Sequence, residues 1–355
     1  MIGNLLFRAF RKVEINVHEL NYLFWECTTR CNLHCRHCGS DCKEASGEQD
    51  MPIADFIAAL KTIPRKDIPK NFTVVLTGGE PLMRRDIAEA GRQIREYGCH
   101  WGMVTNGFFY TAERQDELLR AGMGALTISL DGLEPSHDWM RGRQESYNRA
   151  IEAIRLAAAQ PRLYFDVVTC VNQRNINELE NIYNVLCEAG VPQWRIFTII
   201  PIGRAKNDPE LHLTDSQFVD LMEFIKQHRQ EPGRTKVTFS CEGYLGRYER
   251  VVRDAPYFCH AGVNIASVLI DGRICACPNI DRNRFSQGNI YTDNLYQVWN
   301  ERFEPFRNRN WARTCICKGC KVFNLCLGNG MHNWHGECNE VINCHYRKIE
   351  NAGKG

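Results

Sequence analysis

The chain has 355 residues, enough for a barrel-sized domain with a small appended module, and its 44 basic and 42 acidic residues give a net charge of +2. This balance excludes a broad electrostatic surface for nucleic acid. No apolar stretch reaches about 18 residues, so we expect no membrane span. Residues 1–19 lack the features of a signal peptide and predict an N-terminal extension, an amphipathic helix that covers the main domain of a cytoplasmic protein.

Cysteine is unusually frequent, with 18 residues in the chain. Without an export signal, such cysteines more often bind metal or are redox-active than form disulfides. One group lies between Cys27 and Cys42, and a second lies between Cys259 and Cys344. The isolated cysteines are interpreted as buried, inert thiols: Cys99, Cys170, Cys187 and Cys241. The two groups need another explanation.

From residue 22 to about 200, short β-rich runs alternate with helical patterns. The predicted strands are Tyr22–Cys27, Phe72–Thr77, Trp101–Thr105, Ala125–Leu130, Leu163–Val171 and Trp194–Ile200. The predicted helices are Ile53–Ile63, Asp86–Tyr97, Ala112–Ala121, Tyr147–Ala159, Ile176–Ala189 and Asp215–His228. This alternation predicts a parallel sheet with crossover helices. Periodicity alone does not distinguish a barrel from an open doubly wound sheet.

The character of the chain changes after about residue 235, where helical periodicity weakens and glycine and cysteine become more frequent. Asp271-Gly272 separates the β-rich runs Ile265–Ile270 and Arg273–Cys277, which predicts a hairpin. We therefore place a domain boundary here. Residues 20–235 form the predicted main domain, and residues 236–355 form a small cysteine-rich domain.

The first cysteine group contains a C-x3-C-x2-C motif, formed by Cys31, Cys35 and Cys38 directly after the first strand. Thiolates are the ligands that iron–sulfur clusters require, and three of them leave one iron of a four-iron cluster open to a small molecule. A zinc site is the alternative, but it would need His34 or His37 as fourth ligand within the same loop. Cys27 is expected to pack within its strand, and Cys42 remains unassigned.

Further motifs follow the next three strands. They are Thr77-Gly78-Gly79-Glu80-Pro81, then Thr105-Asn106-Gly107, then Ser129-Leu130-Asp131-Gly132 with His137 and Arg141 behind it. Together with the cysteine motif, this order resembles the radical S-adenosylmethionine (SAM) superfamily over roughly residues 20–200. The resemblance implies an α/β fold, a partial (β/α)6 TIM-like barrel, with its chemistry at the carboxyl ends of the strands.

The resemblance also implies the cofactor site. Cys31, Cys35 and Cys38 are expected to hold a [4Fe-4S] cluster whose open iron is chelated by the amino and carboxylate groups of SAM. The implied SAM-binding residues are Gly78, Gly79, Glu80, Asn106, Ser129 and Arg141. The glycines allow close approach of the backbone to this ligand. Glu80 would accept a hydrogen bond from the ammonium group of SAM, and Arg141 would pair with its carboxylate. Asn106 and Ser129 would form hydrogen bonds with its ribose.

Two of these assignments have an alternative interpretation. Asp131 is a candidate catalytic residue that positions substrate or takes a proton, but it also fits a turn-forming Asp-Gly pair. Arg141 also fits a solvated arginine at the start of a helix. In the family that the chain resembles, reductive cleavage of SAM gives a 5′-deoxyadenosyl radical that abstracts a substrate hydrogen, while the protein aims and shields the radical.

The C-terminal cysteines resemble the SPASM domain, which binds auxiliary iron–sulfur clusters. The implied ligands are Cys259, Cys277, Cys317, Cys320, Cys326 and Cys344. The last four form a complete set for one [4Fe-4S] cluster. On spacing alone, they fit a four-thiolate zinc site equally well. The radical SAM motifs upstream favour iron–sulfur chemistry.

This sequence departs from the SPASM pattern at Gly330, where a cysteine is expected. The missing thiolate belongs to the first of two auxiliary clusters. Cys275, Cys315 or Cys338 would be substitutes, a non-cysteine ligand is a further option, and the cluster would otherwise be absent. The nearby His332, Trp334 and His335 fit a packed turn or the mouth of the active site.

The two cysteine groups together predict a radical SAM maturase that oxidises or cross-links a peptide or protein side chain. The auxiliary cluster would conduct electrons, and a reduced protein of the flavodoxin or ferredoxin type would supply them. No separate leader-peptide-binding domain precedes the predicted barrel, so a peptide substrate would need another means of docking. The alternatives are a radical SAM enzyme of tetrapyrrole or cofactor biosynthesis and, from a different class, a non-catalytic zinc-binding scaffold.

Overall fold

The computed structural model describes residues 2–45, 47–230, 233–240, 242–334 and 340–353. Three residues singled out in the sequence, Cys241, His335 and Cys338, lie outside these ranges. The strands of the main domain are β1 Tyr22–Thr28, β2 Thr73–Gly78, β3 His100–Thr105, β4 Ala125–Ser129, β5 Tyr164–Val171, β6 Gln193–Thr198 and β7 Lys236–Phe239. The six predicted strands are thus present, with ends within two residues of those predicted.

The strand order shows which parallel fold this is. Strands β1 to β7 pair in parallel, and each lies beside its predecessor in the chain. A doubly wound sheet would reverse its strand order at a switch point, whereas a barrel winds in one direction. The consecutive order therefore confirms the predicted barrel-like α/β fold. Strand β7 adds a seventh parallel strand immediately after the predicted boundary at residue 235.

Helices connect the strands of the main domain and continue into the C-terminal domain. They are α1 Ile2–Val17, α2 Ile53–Leu60, α3 Ile87–Glu96, α4 Ala112–Arg120, α5 Glu134–Arg141, α6 Ser146–Ala158, α7 Leu179–Glu188, α8 Asp215–Gln230, α9 Arg282–Phe285, α10 Leu295–Glu301, α11 Glu304–Arg307, α12 Phe323–Cys326 and α13 His345–Ala352. No helix of the described segments is long and apolar enough to cross a membrane.

Side chains alternate across the strands, which separates a packed face from the barrel interior. In β1, Leu23, Trp25 and Cys27 are fully buried, and Trp25 stacks on Phe56 of α2 with ring centroids 4.2 Å apart. Glu26 and Thr28 lie on the opposite face of the strand. The helices thus cover one face of the sheet, and polar side chains on the other face line the interior.

The C-terminal domain extends the same sheet. Strand β8, Ile265–Val268, pairs in parallel with β1, and the predicted hairpin follows as β9 Arg273–Cys275, antiparallel to β8. A short strand, β10 Gly288–Asn289, completes this edge. Buried Glu26 of β1 forms an ion pair with Arg282 at 2.8 Å and accepts a hydrogen bond from the Ile270 amide. The two domains therefore share backbone pairing and a buried charge contact.

The position of α1 differs from the prediction that it covers the main domain. Its Arg11 guanidinium donates to the backbone carbonyls of Asn324 and Leu325, each at 2.7 Å. Both acceptors belong to α12, so this buried arginine contacts the C-terminal domain. The outward face of α1 exposes apolar side chains: Leu5, Leu6, Phe10, Val13 and Val17.

Candidate active site

The loop after β1 carries the first cysteine motif and is fixed by backbone hydrogen bonds. The Cys31 amide donates to the carbonyl of Lys43 at 2.9 Å, and the His34 amide donates to the carbonyl of Arg141 at 3.2 Å. Cys31 and Cys35 are buried in one group with Leu33, and Cys38 packs against this group. The fold thus brings the three predicted ligands around one small region at the carboxyl end of β1.

The donors around these thiols suit thiolate ligands of a cluster. The Arg141 guanidinium lies 3.7 Å from the sulfur of Cys35, and the Asn106 amide lies 4.0 Å from that of Cys31. Across the described ranges, no three His, Cys, Asp or Glu side chains converge as ligands of a single metal ion. A four-iron cluster places each thiolate on a different iron, whereas zinc needs all its ligands at one point. The donors beside Cys31 and Cys35 therefore suit the thiolate ligands of a cluster.

Gly78 and Gly79 are required by the backbone of the cysteine loop itself. A Cβ at Gly78, whose φ is +132°, would lie 2.1 Å from the carbonyl oxygen of Thr28. One at Gly79 would lie 2.2 Å from the carbonyl oxygen of Arg30. The Gly79 and Glu80 amides donate to these two carbonyls at 2.7 and 2.8 Å. The glycines thus let the end of β2 pack directly on the start of the cysteine loop.

Glu80 joins the second and third motifs. Its buried carboxylate accepts hydrogen bonds from the Thr105 hydroxyl at 2.7 Å, the Asn106 amide at 2.8 Å and the Leu82 amide at 3.1 Å. Burial raises the pKa of Glu80, although these donors oppose the shift. The Asn106 side chain in turn donates to Asn32 in the cysteine loop at 2.9 Å. One buried network therefore connects β2, β3 and the predicted cluster ligands.

Asp131 and Arg141 form a buried ion pair at 2.6 Å. The second carboxylate oxygen of Asp131 accepts from the Cys170 amide at 2.8 Å, and His37 lies 3.8 Å from the first. Burial alone would raise the pKa of Asp131, but the charge of Arg141 outweighs it and the pKa lies below its usual value. Arg141 is therefore not a solvated arginine. A proton-accepting role for Asp131 would require it to leave this pair, and it stays a prediction.

Histidines beside this pair are neutral. Burial lowers the pKa of His37 to about 4 and that of His137 to about 3. The ring of His137 accepts a hydrogen bond from the Asp131 amide at 2.9 Å, which orients the loop after β4. Ser129, the last residue of that strand, is half-buried on the face opposite Ile128, which packs in the core.

Four of the C-terminal cysteines form a compact group. Burial raises the pKa of Cys317 to about 11 and that of Cys326 to about 12, and the charge of Cys344 raises both further. Burial also raises the pKa of Cys344, and the charge of Cys320 raises it further. The Cys326 sulfur also accepts a hydrogen bond from the Asn329 amide at 3.1 Å. Neighbouring thiols with an amide donor fit an iron–sulfur cluster.

The predicted first auxiliary site is less complete. Cys259 and Cys277 are half-buried against the main core. A Cβ at Gly330 would lie 2.4 Å from the ring of His332 and 2.7 Å from the Glu242 carbonyl oxygen, so the imidazole takes the place of a cysteine side chain. Of the proposed substitutes, Cys275 is fully buried and Cys315 is exposed. The ligand set of this cluster stays a prediction.

A cavity of about 580 Å³ opens between the cysteine loop and the segment that follows Cys277. Its walls combine polar and apolar side chains in similar proportion. They include Thr29, Cys38, Ser40, Cys42, Lys43, Glu48, Ile202, Asn279, Ile280, Asp281 and Arg282. The cavity gives access to the predicted cluster from the side of the C-terminal domain.

The structure adds contacts for residues to which the sequence assigned no role. Cys42 joins the buried group of the cysteine loop, and its spacing behind Cys38 was the only available signal. Glu242 is buried after β7, where it accepts from the Thr198 amide at 2.8 Å and lies 3.2 Å from His345, the neighbour of Cys344. Among the isolated cysteines, Cys99 is buried as predicted, but Cys170 and Cys187 are only half-buried.

Comparisons with known proteins agree with this geometry. Residues 25–186 match the model of the radical SAM superfamily. The chain contains a radical SAM domain. Residues 259–321 match an iron–sulfur cluster-binding domain of the SPASM type. This radical SAM enzyme therefore binds SAM and a [4Fe-4S] cluster, and its SPASM domain binds auxiliary iron–sulfur clusters. A non-catalytic zinc scaffold is thus the wrong interpretation.

Similar proteins cover most of this radical SAM enzyme. An AdoMet-dependent heme synthase of Methanosarcina barkeri is 29% identical over 86% of this chain and 89% of its own length. The mycofactocin maturase MftC of Mycolicibacterium smegmatis is 27% identical over 87% of this chain and 77% of its own length. The solved structure of anSMEcpe with bound AdoMet and a Cp18Cys peptide shares the fold, with a TM-score of 0.72, 16% identity and coverage of 94% and 96%.

Proposed function

We propose that this enzyme is a maturase that oxidises or cross-links a side chain of a peptide or protein. Cys31, Cys35 and Cys38 would hold the SAM-binding cluster, and Cys317, Cys320, Cys326 and Cys344 would hold an auxiliary cluster. When bound, SAM would supply a radical for the removal of a substrate hydrogen, and the auxiliary cluster would supply an acceptor for one electron, so the substrate would be oxidised overall. A reduced flavodoxin- or ferredoxin-type protein is the proposed donor.

The observation that carries the peptide proposal is the cavity beside the cysteine loop, whose walls offer hydrogen-bonding and apolar side chains together. Lys43, Glu48, Asn279 and Asp281 line it, together with the apolar side chains of Ile202, Pro278 and Ile280. Backbone amides and carbonyls of a peptide find hydrogen-bond partners on such walls. The similarity to MftC is consistent with a peptide substrate.

A tetrapyrrole substrate is the second candidate. It is favoured by the heme synthase relative, which matches this chain over nearly its full length. In this case the substrate would enter the same cavity edge-on, with its carboxylates near Lys43 and Arg282.

Anaerobic assays separate the two candidates. Reconstituted protein is expected to bind about eight irons as two four-iron clusters and to release 5′-deoxyadenosine when it receives SAM and dithionite. Peptides captured from an anaerobic extract of the producing organism are expected to increase this release and to lose two hydrogen masses. An increase with iron-coproporphyrin III, without a response to any captured peptide, would contradict the peptide proposal. Protein that holds zinc and does not cleave SAM would contradict both.

A further inference from the structure

Helix α1 presents an apolar face to solvent. Among the described residues, ten large hydrophobic side chains are exposed, and five of them lie on this one helix. These five are between 55% and 67% exposed: Leu5, Leu6, Phe10, Val13 and Val17. At about 100° per residue, their positions span about 140° of the helix circumference and form one continuous stripe. Single exposed hydrophobics are ordinary, whereas a contiguous patch marks a contact surface.

The opposite side of α1 is fixed to the protein. Arg11 is buried and donates to two backbone carbonyls of α12, each at 2.7 Å. The Glu14 carboxylate accepts a hydrogen bond from the side-chain amide of Asn264 at 3.3 Å. Just after the helix, the His18 carbonyl accepts one from the Trp299 indole at 3.2 Å. These contacts hold the helix in one orientation, so its apolar face is turned away from the rest of the chain.

Two cations border the apolar face. Arg8 and Lys12 are exposed and lie one helical turn apart, beside Leu5. Glu14, the acidic residue of this helix, lies on the inward side, where it contacts Asn264. Along the described helix, the face that solvent reaches therefore combines an apolar stripe with positive charge and has no acidic side chain.

The size and charge of this face decide what covers it. A helix of 16 residues is about 24 Å long and 10–12 Å wide, so one face presents a few hundred Å². A stable protein interface needs about 800 Å² from each partner. A second copy of the chain would also bring the same two cations and no anionic group on this face. An anionic bilayer needs no minimum matched area and supplies negative charge along the whole helix.

We propose that α1 lies in the surface of a membrane that contains anionic lipids. Its apolar side chains would enter the boundary between headgroups and acyl chains, and Arg8 and Lys12 would contact lipid phosphates. The helix would lie in the plane of the membrane and would not cross it. Because Arg11 ties α1 to the backbone directly before Cys326, the C-terminal domain would face the lipid.

The first test measures binding of the anaerobically reconstituted holoenzyme to sedimented vesicles. Wild type is expected on vesicles of equal parts phosphatidylglycerol and phosphatidylcholine, and much less on phosphatidylcholine alone. The double variant Leu6→Gln with Phe10→Gln should bind at least about tenfold more weakly, because two apolar side chains no longer leave water. The matched control, Tyr164→Gln with Tyr291→Gln, removes two side chains that are 66% and 56% exposed elsewhere and should bind like wild type.

The second test concerns the charges. Arg8→Gln with Lys12→Gln should weaken binding to the anionic vesicles about thirtyfold, because each cation near such a surface contributes about a factor of five. Added salt should weaken binding of wild type and have much less effect on this variant. The control is Arg120→Gln with Arg155→Gln, which removes two exposed cations from α4 and α6 and should keep both properties.

Each outcome decides the proposal. Wild type that does not bind the anionic vesicles, or α1 variants that bind like their controls, would overturn it. A dimer in sedimentation velocity that is lost in Leu6→Gln with Phe10→Gln, without vesicle binding by wild type, would also overturn it and assign the face to a second copy. Iron content equal to that of wild type shows that a variant is intact. If the apolar double variant loses iron, Phe10→Gln alone carries the comparison.

Discussion

The buried ion pair between Asp131 and Arg141 gives the sharpest stability prediction. Its charged atoms are 2.6 Å apart, and the side chains are 1% and 8% exposed, so solvent screens the pair little. Removal of one partner from such a pair costs about 3–5 kcal/mol, because the other charge stays buried and uncompensated. The free energy of unfolding of Arg141→Met is expected to be lower than that of wild type by about this amount. After it, the Cys170 amide and the ring of His37, 3.8 Å away, are the neighbours described above that remain beside the carboxylate of Asp131.

A double-mutant cycle measures this coupling. Asp131→Asn with Arg141→Met should be more stable than Arg141→Met alone by about 2 kcal/mol, because the neutral amide no longer needs a counter-charge. Urea unfolding of the anaerobic holoenzyme, followed by tryptophan fluorescence, gives the midpoints of wild type, the two single variants and the double variant. The exposed helix pair Arg149–Glu152 is the matched control, for which a coupling of about 0.3 kcal/mol is expected. A similarly small coupling for Asp131 and Arg141 would refute the reasoning.

The remaining predictions concern the clusters, the glycines and pH. Replacing Cys31, Cys35 and Cys38 by Ala should remove about four irons and all SAM cleavage, whereas Cys99→Ala should keep both; persistent cleavage would refute the assignment. Cys344→Ala should remove about four irons but keep release of 5′-deoxyadenosine without substrate product. Gly79→Ala should prevent cluster assembly, as judged by iron content, because its Cβ would lie 2.2 Å from a backbone oxygen, while Gly124→Ala, whose Cβ would lie 3.9 Å from its nearest neighbour, should assemble. Stability should fall as pH drops below about 6.5, because the histidine takes up a proton in the unfolded chain there, whereas the buried His137 of the folded protein, with a pKa of about 3, does not. The variant His137→Asn keeps an acceptor for the Asp131 amide and should flatten this dependence of stability on pH.

The sequence predicted the strands well because local patterns determine them. Alternating β-rich runs and helical periodicity located all six units, and Asp271-Gly272 located the hairpin of β8 and β9. Helix α5 was not predicted, since it has only eight residues and lies between Gly132 and Gly142. The choice between barrel and open sheet also required the structure, because strand order is a long-range property that periodicity does not encode.

The candidate site was predictable as a set of residues but not as a set of contacts. Asp131 and Arg141 are ten positions apart, and only α5 turns the guanidinium back onto the carboxylate and the sulfur of Cys35. Gly78 was assigned to ligand approach, yet the closest neighbour of its missing Cβ is the carbonyl oxygen of Thr28. Cys42 had no role because its burial depends on Lys43 returning beside Cys31. Each of these contacts joins segments whose sequences are independent of one another.

The shared sheet explains how two cysteine sites can work on one substrate. Strand β1 ends in the cysteine loop and pairs over Tyr22–Trp25 with β8, whose hairpin leads to Cys277 and the cavity wall. The ion pair of Glu26 with Arg282 fixes this wall to the strand that carries the predicted cluster. Electron transfer from a substrate radical requires a fixed separation between the site of hydrogen removal and the acceptor. Backbone pairing of the two domains provides that rigidity, which a flexible linker would not.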